Sequence, residues 1–143
     1  MEKKNYDEYQ IKIRHKLAFH TMLLTFVLII ANAFVKSWYV WAEPGVEAIV
    51  LVGVPTLYFV TGAVFKNAYI SAKERSPWAT IMLFGLLAVA ELFSFLAGGM
   101  GRLITDGRLS AEAMSLALLI LFGYLSLILL VKELLNRRER EEQ

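Results

Sequence analysis

The sequence predicts an all-α integral membrane fold, a four-helix bundle with both termini on the cytoplasmic side, and three observations carry that prediction. The 143 residues are 57% hydrophobic, above the roughly 45–50% of a soluble domain, with a mean hydropathy of +0.53. The charged residues, 20% of the chain, gather almost entirely outside four apolar runs. Each run reaches the roughly 20 residues that cross about 30 Å of hydrocarbon as a helix. No run shows the ten-residue alternation of a membrane β-barrel, so one four-span domain covering residues 1–143 is expected.

The first span, residues 17–35, follows a charged tail. Ile13 and Leu17 continue its apolar side backwards, which predicts a helix that starts before the hydrocarbon. A charged start, an apolar stretch and Ala31-Asn32-Ala33 also resemble a secretory signal with a small-residue cleavage site, which would leave three spans. The run continues instead through Phe34 and Val35 into Trp38, Tyr39 and Trp41, an interfacial aromatic anchor, and this favours a retained span.

Glu43-Pro44-Gly45 then stops one helix, turns, and starts the second span, residues 46–65, with Glu47 in its first turn. Pro55 removes a backbone donor within it and predicts a kink. The third span, residues 78–100, opens on Ser76-Pro77-Trp78, a capping serine and a proline suited to a first helical position. It carries Ala90, Ser94 and Gly98 as a seam for close helix packing. The connection after it contains Gly98, Gly99, Gly101 and Gly107 and predicts flexible backbone. Ser110 caps the fourth span, residues 111–131, and Leu134 and Leu135 extend its helix into the C-terminal tail. An offset of Glu47-Ala48 onto Glu112-Ala113 suggests a duplicated helical hairpin, but the surrounding identities are too few to establish one.

Lysines and arginines set the orientation, because they stay on the cytoplasmic side of short loops. Fifteen are present, and all but Lys36, Arg102 and Arg108 fall in the two tails or the second connection. Both termini are therefore expected in the cytoplasm of a multi-pass membrane protein. With no cysteine, disulfide scaffolds, thiolate metal sites and cysteine nucleophiles are excluded. The net charge of +2 names no partner.

Glu91 is the most informative residue, since a carboxyl within an apolar span is costly and turns to the bundle interior. At 100° per residue Thr21, Thr25, Asn32 and Lys36 share an arc of about 60° on the first helix, and Glu47, Tyr58 and Thr61 lie close in angle on the second. Glu91, Asn32, Lys36 and Tyr58 are thus expected as an intramembrane polar cluster. Such a cluster either fixes bundle register through hydrogen bonds or forms a proton, cation or polar-ligand site. Lys36 has two reaches, down to Glu91 or up to Glu43 and Glu47.

His15 and His20, five residues apart, do not share a helix face as metal ligands. No phosphate-binding glycine loop, HExxH, nucleophile elbow or kinase signature is present, so the expectation is no catalytic residue, metal or cofactor. No element reads a nucleic-acid groove, so direct nucleic-acid binding is not expected. Lys12, Arg14, Lys16, Arg137 and Arg138 are the expected contacts to a cytoplasmic partner or to lipid.

Three segments carry a resemblance: Asp7-Glu8-Tyr9-Gln10-Ile11-Lys12-Ile13-Arg14-His15-Lys16, Trp41-Ala42-Glu43-Pro44 with Glu47, and Lys66-Asn67-Ala68-Tyr69. Over about its first half the chain resembles small uncharacterised four-span membrane proteins of Gram-positive bacteria. That resemblance implies an integral membrane protein without assigned catalysis, often encoded beside a Cro-like helix-turn-helix repressor. The expected function is regulatory or scaffolding work through the cytoplasmic face, with the lipid bilayer, a cytoplasmic regulator and further copies of the chain as partners. A small proton- or cation-coupled transporter that uses Glu91 in an oligomer is the alternative.

Overall fold

The computed structural model describes residues 7–69, 77–98 and 103–141, with the side chains of 139–141 left aside. Helix α1 is Glu8–Lys36, α2 Pro44–Phe65, α3 Trp78–Gly98 and α4 Glu112–Glu141; strands β1, Ile104–Thr105, and β2, Arg108–Leu109, lie between α3 and α4. All four helices are long and apolar enough to cross a membrane. The described parts of both tails are helical, as their apolar continuations predict, and α1 passes through Ala31-Asn32-Ala33 without a break.

Local chemistry sets the helix ends. Asp7 precedes α1 in extended conformation, and its N–H donates to the Gln10 side-chain oxygen at 3.2 Å, which relieves one unpaired donor of the first turn. Pro44 opens α2, where its missing N–H costs no helical bond. At the far end of α2, Asn67 takes a left-handed φ of 54°. The Ala68 N–H then reaches back to the Ala63 carbonyl at 2.7 Å and the Asn67 N–H to Val64 at 3.1 Å, a Schellman closure that buries Ala68. The helix runs on through Pro55. Ser76, the expected cap of α3, lies outside the described residues.

The helices pair in the order α1, α2, α4, α3. Small residues allow the close approaches, as expected where packing rather than water exclusion joins helices. A Cβ on Gly62 would collide with Leu17 of α1, and one on Gly53 would touch Leu121 of α4. Val60, Val64, Leu125, Leu129 and Ile81 form the largest buried cluster. Phe84 stacks on Phe122 at 6.2 Å, and the Ser126 hydroxyl donates to the Ile81 carbonyl at 3.2 Å. Outer helices α1 and α3 leave wide apolar faces open, among them Phe26, Ile30, Leu86 and Phe93.

Four antiparallel helices place the start of α1 and the end of α4 at one end of the bundle, the termini end, and the α1–α2 and α3–α4 connections at the other, the hairpin end. At the hairpin end the expected flexible loop is replaced, over residues 103–110, by an ordered hairpin. Ile104 pairs with Leu109 and Thr105 with Arg108 around Asp106 and Gly107, whose φ values are 51° and 75°. Two positive φ values in succession make the tight turn that Asp-Gly favours. Leu109 also forms a parallel bridge with Ala42, held by Leu109 N–H to Trp41 O and Glu43 N–H to Leu109 O, each 2.9 Å. The Tyr39 hydroxyl donates to the Gly107 carbonyl. Glycines 99 and 101 of the expected flexible loop lie outside the described residues.

This cap depends on the left-handed turn. Gly107→Ala is expected to cost about 1 kcal/mol and to speed amide exchange at Glu43 and Ser110 by about fivefold. Unchanged exchange at both amides would show that the cap holds without the turn.

Candidate functional site

Polar side chains collect at three levels of the bundle. At the hairpin end, the last turn of α1 meets the first turn of α2. The Lys36 Nζ donates to Glu47 Oε2 at 2.8 Å, with 38% of the lysine side chain exposed but only 7% of the glutamate's. Glu47 Oε1 is buried without a hydrogen-bond partner. One turn deeper, Asn32 Oδ1 accepts the Trp41 indole N–H at 2.7 Å. This fixes the connection against α1 and sets Asn32 within the same polar corner. Among the two reaches open to Lys36, the structure takes the upward one, to Glu47.

The expected cluster of Glu91, Asn32, Lys36 and Tyr58 is not assembled. The α1 stripe does turn to α2, but Thr21 and Thr25 spend their hydroxyls on the carbonyls four residues back, Leu17 and Thr21, at 2.8 Å each, as helix-interior threonines commonly do. Tyr58 is 43% exposed and lies about 16 Å along α2 from Glu47 at 1.5 Å per residue. Thr61 turns the other way, sharing a hydrogen bond of 2.9 Å with Tyr124 of α4. The physical reason for the separation is the pairing order: α1 packs on α2, whereas α3, which carries Glu91, packs on α4.

Glu91 is half-buried and, among the described residues, its carboxyl has no hydrogen-bond or ion-pair partner. It follows Ala88, buried on the same helix, by three positions and so continues the side that meets α4. Phe84 on Phe122 and Ser94 with Ser115 at 3.3 Å set the antiparallel register. That register puts the apolar Ala117-Leu118-Leu119 stretch opposite Glu91. One turn towards the hairpin end, Ser94, Phe95, Gly98, Ala111, Glu112 and Ser115 line a cavity of about 240 Å³.

At the termini end, the residues that follow α2 are held from α1 and the first residue of α3 is held from α4. From α1, Gln10 Nε2 donates to the Asn67 carbonyl at 2.7 Å and Arg14 to the Ala68 carbonyl at 3.4 Å. From α4, Arg137 lies over the Trp78 ring, 5.1 Å from its centre, and its Nε donates to Glu133 Oε1 at 3.2 Å. Glu133 is buried. Of the five basic residues expected to meet a partner or lipid, Arg14 and Arg137 therefore hold the chain's own structure. Lys12, Lys16 and Arg138 are exposed.

Of the two buried carboxylates, Glu47 is one of the partners the sequence offers to Lys36, although it stands outside the expected cluster, whereas Glu133 is not singled out there. Glu133 stands four residues before Arg137, the spacing of a helical ion pair. Among the described residues no group of three or more His, Asp or Glu side chains is placed to hold a metal ion. No family model, curated protein or solved structure matches this chain.

Removing one partner of a buried pair leaves the other charge stranded, at about 3–5 kcal/mol when both are fully buried, less where one partner is exposed. Lys36→Met is thus expected to lower the thermal midpoint in detergent more than Glu47→Gln does. The double change Lys36→Met with Glu47→Met should recover much of the loss. A midpoint unmoved by Lys36→Met would show that the pair contributes no net stability.

Proposed function

We propose that this chain is a non-enzymatic multi-pass protein of the bacterial cell membrane, with both termini in the cytoplasm, that docks a cytosolic regulator on its termini end. The observation that carries this reading is the projection of α1 beyond the end of α2. Leu17 lies against Gly62, so residues 8–13 of α1 extend past Phe65 by about 9 Å. Beside that projection Asp7, Tyr9, Gln10, Phe65, Lys66 and Asn67 line a cavity of about 550 Å³. Tyr9 is 60% exposed, and Lys12 and Lys16 are exposed on the same helix.

An exposed aromatic ring beside a polar cavity and two lysines suits a protein surface with an acidic rim around an apolar anchor. The cavity sits on rigid elements, because Gln10 and Arg14 clamp the Schellman turn of α2. Charge distribution supports the orientation, since the termini end carries the larger share of lysine and arginine. Given the resemblance of residues 7–16 to the small four-span proteins, a helix-turn-helix repressor is the first regulator to test.

With no native cysteine, single introduced thiols report the sides directly. In intact cells, a membrane-impermeant thiol reagent is expected to label Asp106→Cys and to leave Asn136→Cys unlabelled; the reverse pattern would overturn the orientation. For docking, nanodisc-held protein is exposed to cytosol and retained proteins are identified by mass spectrometry. Changing Lys12 and Lys16 to Gln should reduce the retained regulator about tenfold with helicity unchanged. Equal retention would overturn the docking reading.

A further inference from the structure

We infer that the projecting end of α4 is a binding groove for one anionic phospholipid, with Arg138 as the residue that takes the headgroup phosphate. The inference rests on the membrane-spanning reading above, but not on docking of a regulator. Val131, Leu134, Leu135, Arg137 and Arg138 line a groove of about 480 Å³. Val131, Leu134, Leu135 and Arg138 follow one another at the three- and four-residue steps that make a single helix face. Leu134 and Leu135 are 50% and 48% exposed, so about half of their apolar surface is left open.

Depth identifies the occupant. The bond from Ser126 to the Ile81 carbonyl fixes the register of α4 against α3, and it brings Val131 close to the level at which α3 begins. If α3 fills the hydrocarbon, Val131 lies at its boundary and Leu134 and Leu135 a turn beyond. Arg138 stands about 10 Å past that boundary at 1.5 Å per residue. A headgroup layer is about 5–8 Å deep on each side of the bilayer, and helical side chains lean back towards the helix N-terminus. The leucines therefore meet the ester and upper acyl region of a lipid while the Arg138 guanidinium meets its phosphate.

The two arginines divide the work. Arg137 is already bound to Glu133 and lies over Trp78, which makes it a fixed wall whose charge is largely answered. Arg138 is exposed and can offer a phosphate two parallel N–H donors. An inorganic anion would use the arginine and leave the leucines uncovered; a phospholipid satisfies both ends of the groove. A net negative headgroup is preferred because, among the described residues, the groove lining offers arginines and no carboxylate to pair with the ammonium of a zwitterionic headgroup.

The full-length chain in uncharged detergent micelles, titrated with phosphatidylglycerol or phosphatidylcholine of the same acyl chains and read by native mass spectrometry, tests this. Phosphatidylglycerol is expected to be retained about tenfold more strongly than phosphatidylcholine, the value of one charge-assisted contact. Arg138→Gln should erase that preference, and Leu134→Asn should weaken both lipids, with helicity and thermal midpoint preserved. Equal preference in Arg138→Gln and the unaltered chain would overturn the assignment, as would displacement of the lipid by inorganic phosphate, which marks a free-anion site. Micellar binding is independent of orientation in the cell. Lost lipid preference beside the expected thiol labelling therefore counts against the groove alone.

Discussion

A backbone threaded through apolar surroundings has no water to satisfy its N–H and C=O groups, and the helix is the structure that satisfies them within one segment. Each long apolar run of this chain is accordingly helical, and polar side chains fall into two regimes. Those with a hydrogen-bonding task within the runs bond either the carbonyl four residues back, as Thr21, Thr25 and Thr56 do, or a neighbouring helix, as Thr61, Ser94 and Ser126 do. Those that bear charge are drawn to the two ends, where Lys36 meets Glu47 and Arg137 meets Glu133. Glu91 is the exception: it stands within α3 and, among the described residues, its carboxyl has no hydrogen-bond or ion-pair partner.

Helix pairing then follows from where the small and branched residues lie. Central α2 and α4 present Gly53, Val60 and Val64 to Leu121, Leu125 and Leu129, a close-packed contact that relies on dispersion. The outer helices each use one stripe, Leu17 and the threonines on α1, Ile81, Phe84, Gly85 and Ala88 on α3. Their remaining faces stay apolar, as surfaces suited to lipid chains or another copy of the protein.

The span positions were legible because length and apolarity are properties of a segment, independent of its neighbours. The helical tails were legible from Ile13, Leu134 and Leu135 for the same reason. Which helix faces which is a property of pairs, and there the pattern ran out: the angular coincidence of Asn32, Lys36 and Tyr58 says nothing about whether α3 comes to meet them. Lys36 had two partners within reach, and only the packing of α1 on α2 selects Glu47. The hairpin at residues 103–110 was hidden by its glycines, which read as freedom, although Asp106-Gly107 between Ile104-Thr105 and Arg108-Leu109 is a strong local turn signal. Glu133 and Arg137 stand at the spacing of a helical ion pair, but that spacing does not show that the glutamate is buried while the arginine stays half exposed.

The parallel bridge between Ala42 and Leu109 imposes a timetable on synthesis. The α1–α2 connection is made early, but its β partner arrives only once the chain has passed α3. The α2 face formed by Val60 and Val64 waits longer still, for Leu125 and Leu129. The nascent protein thus consists first of a helical hairpin with an unsealed loop, then of that hairpin beside a lone α3 whose main partner has yet to be translated. The fourth helix is the keystone: its arrival joins both halves, closes the loops on each other, and converts two separable pieces into one cooperative unit.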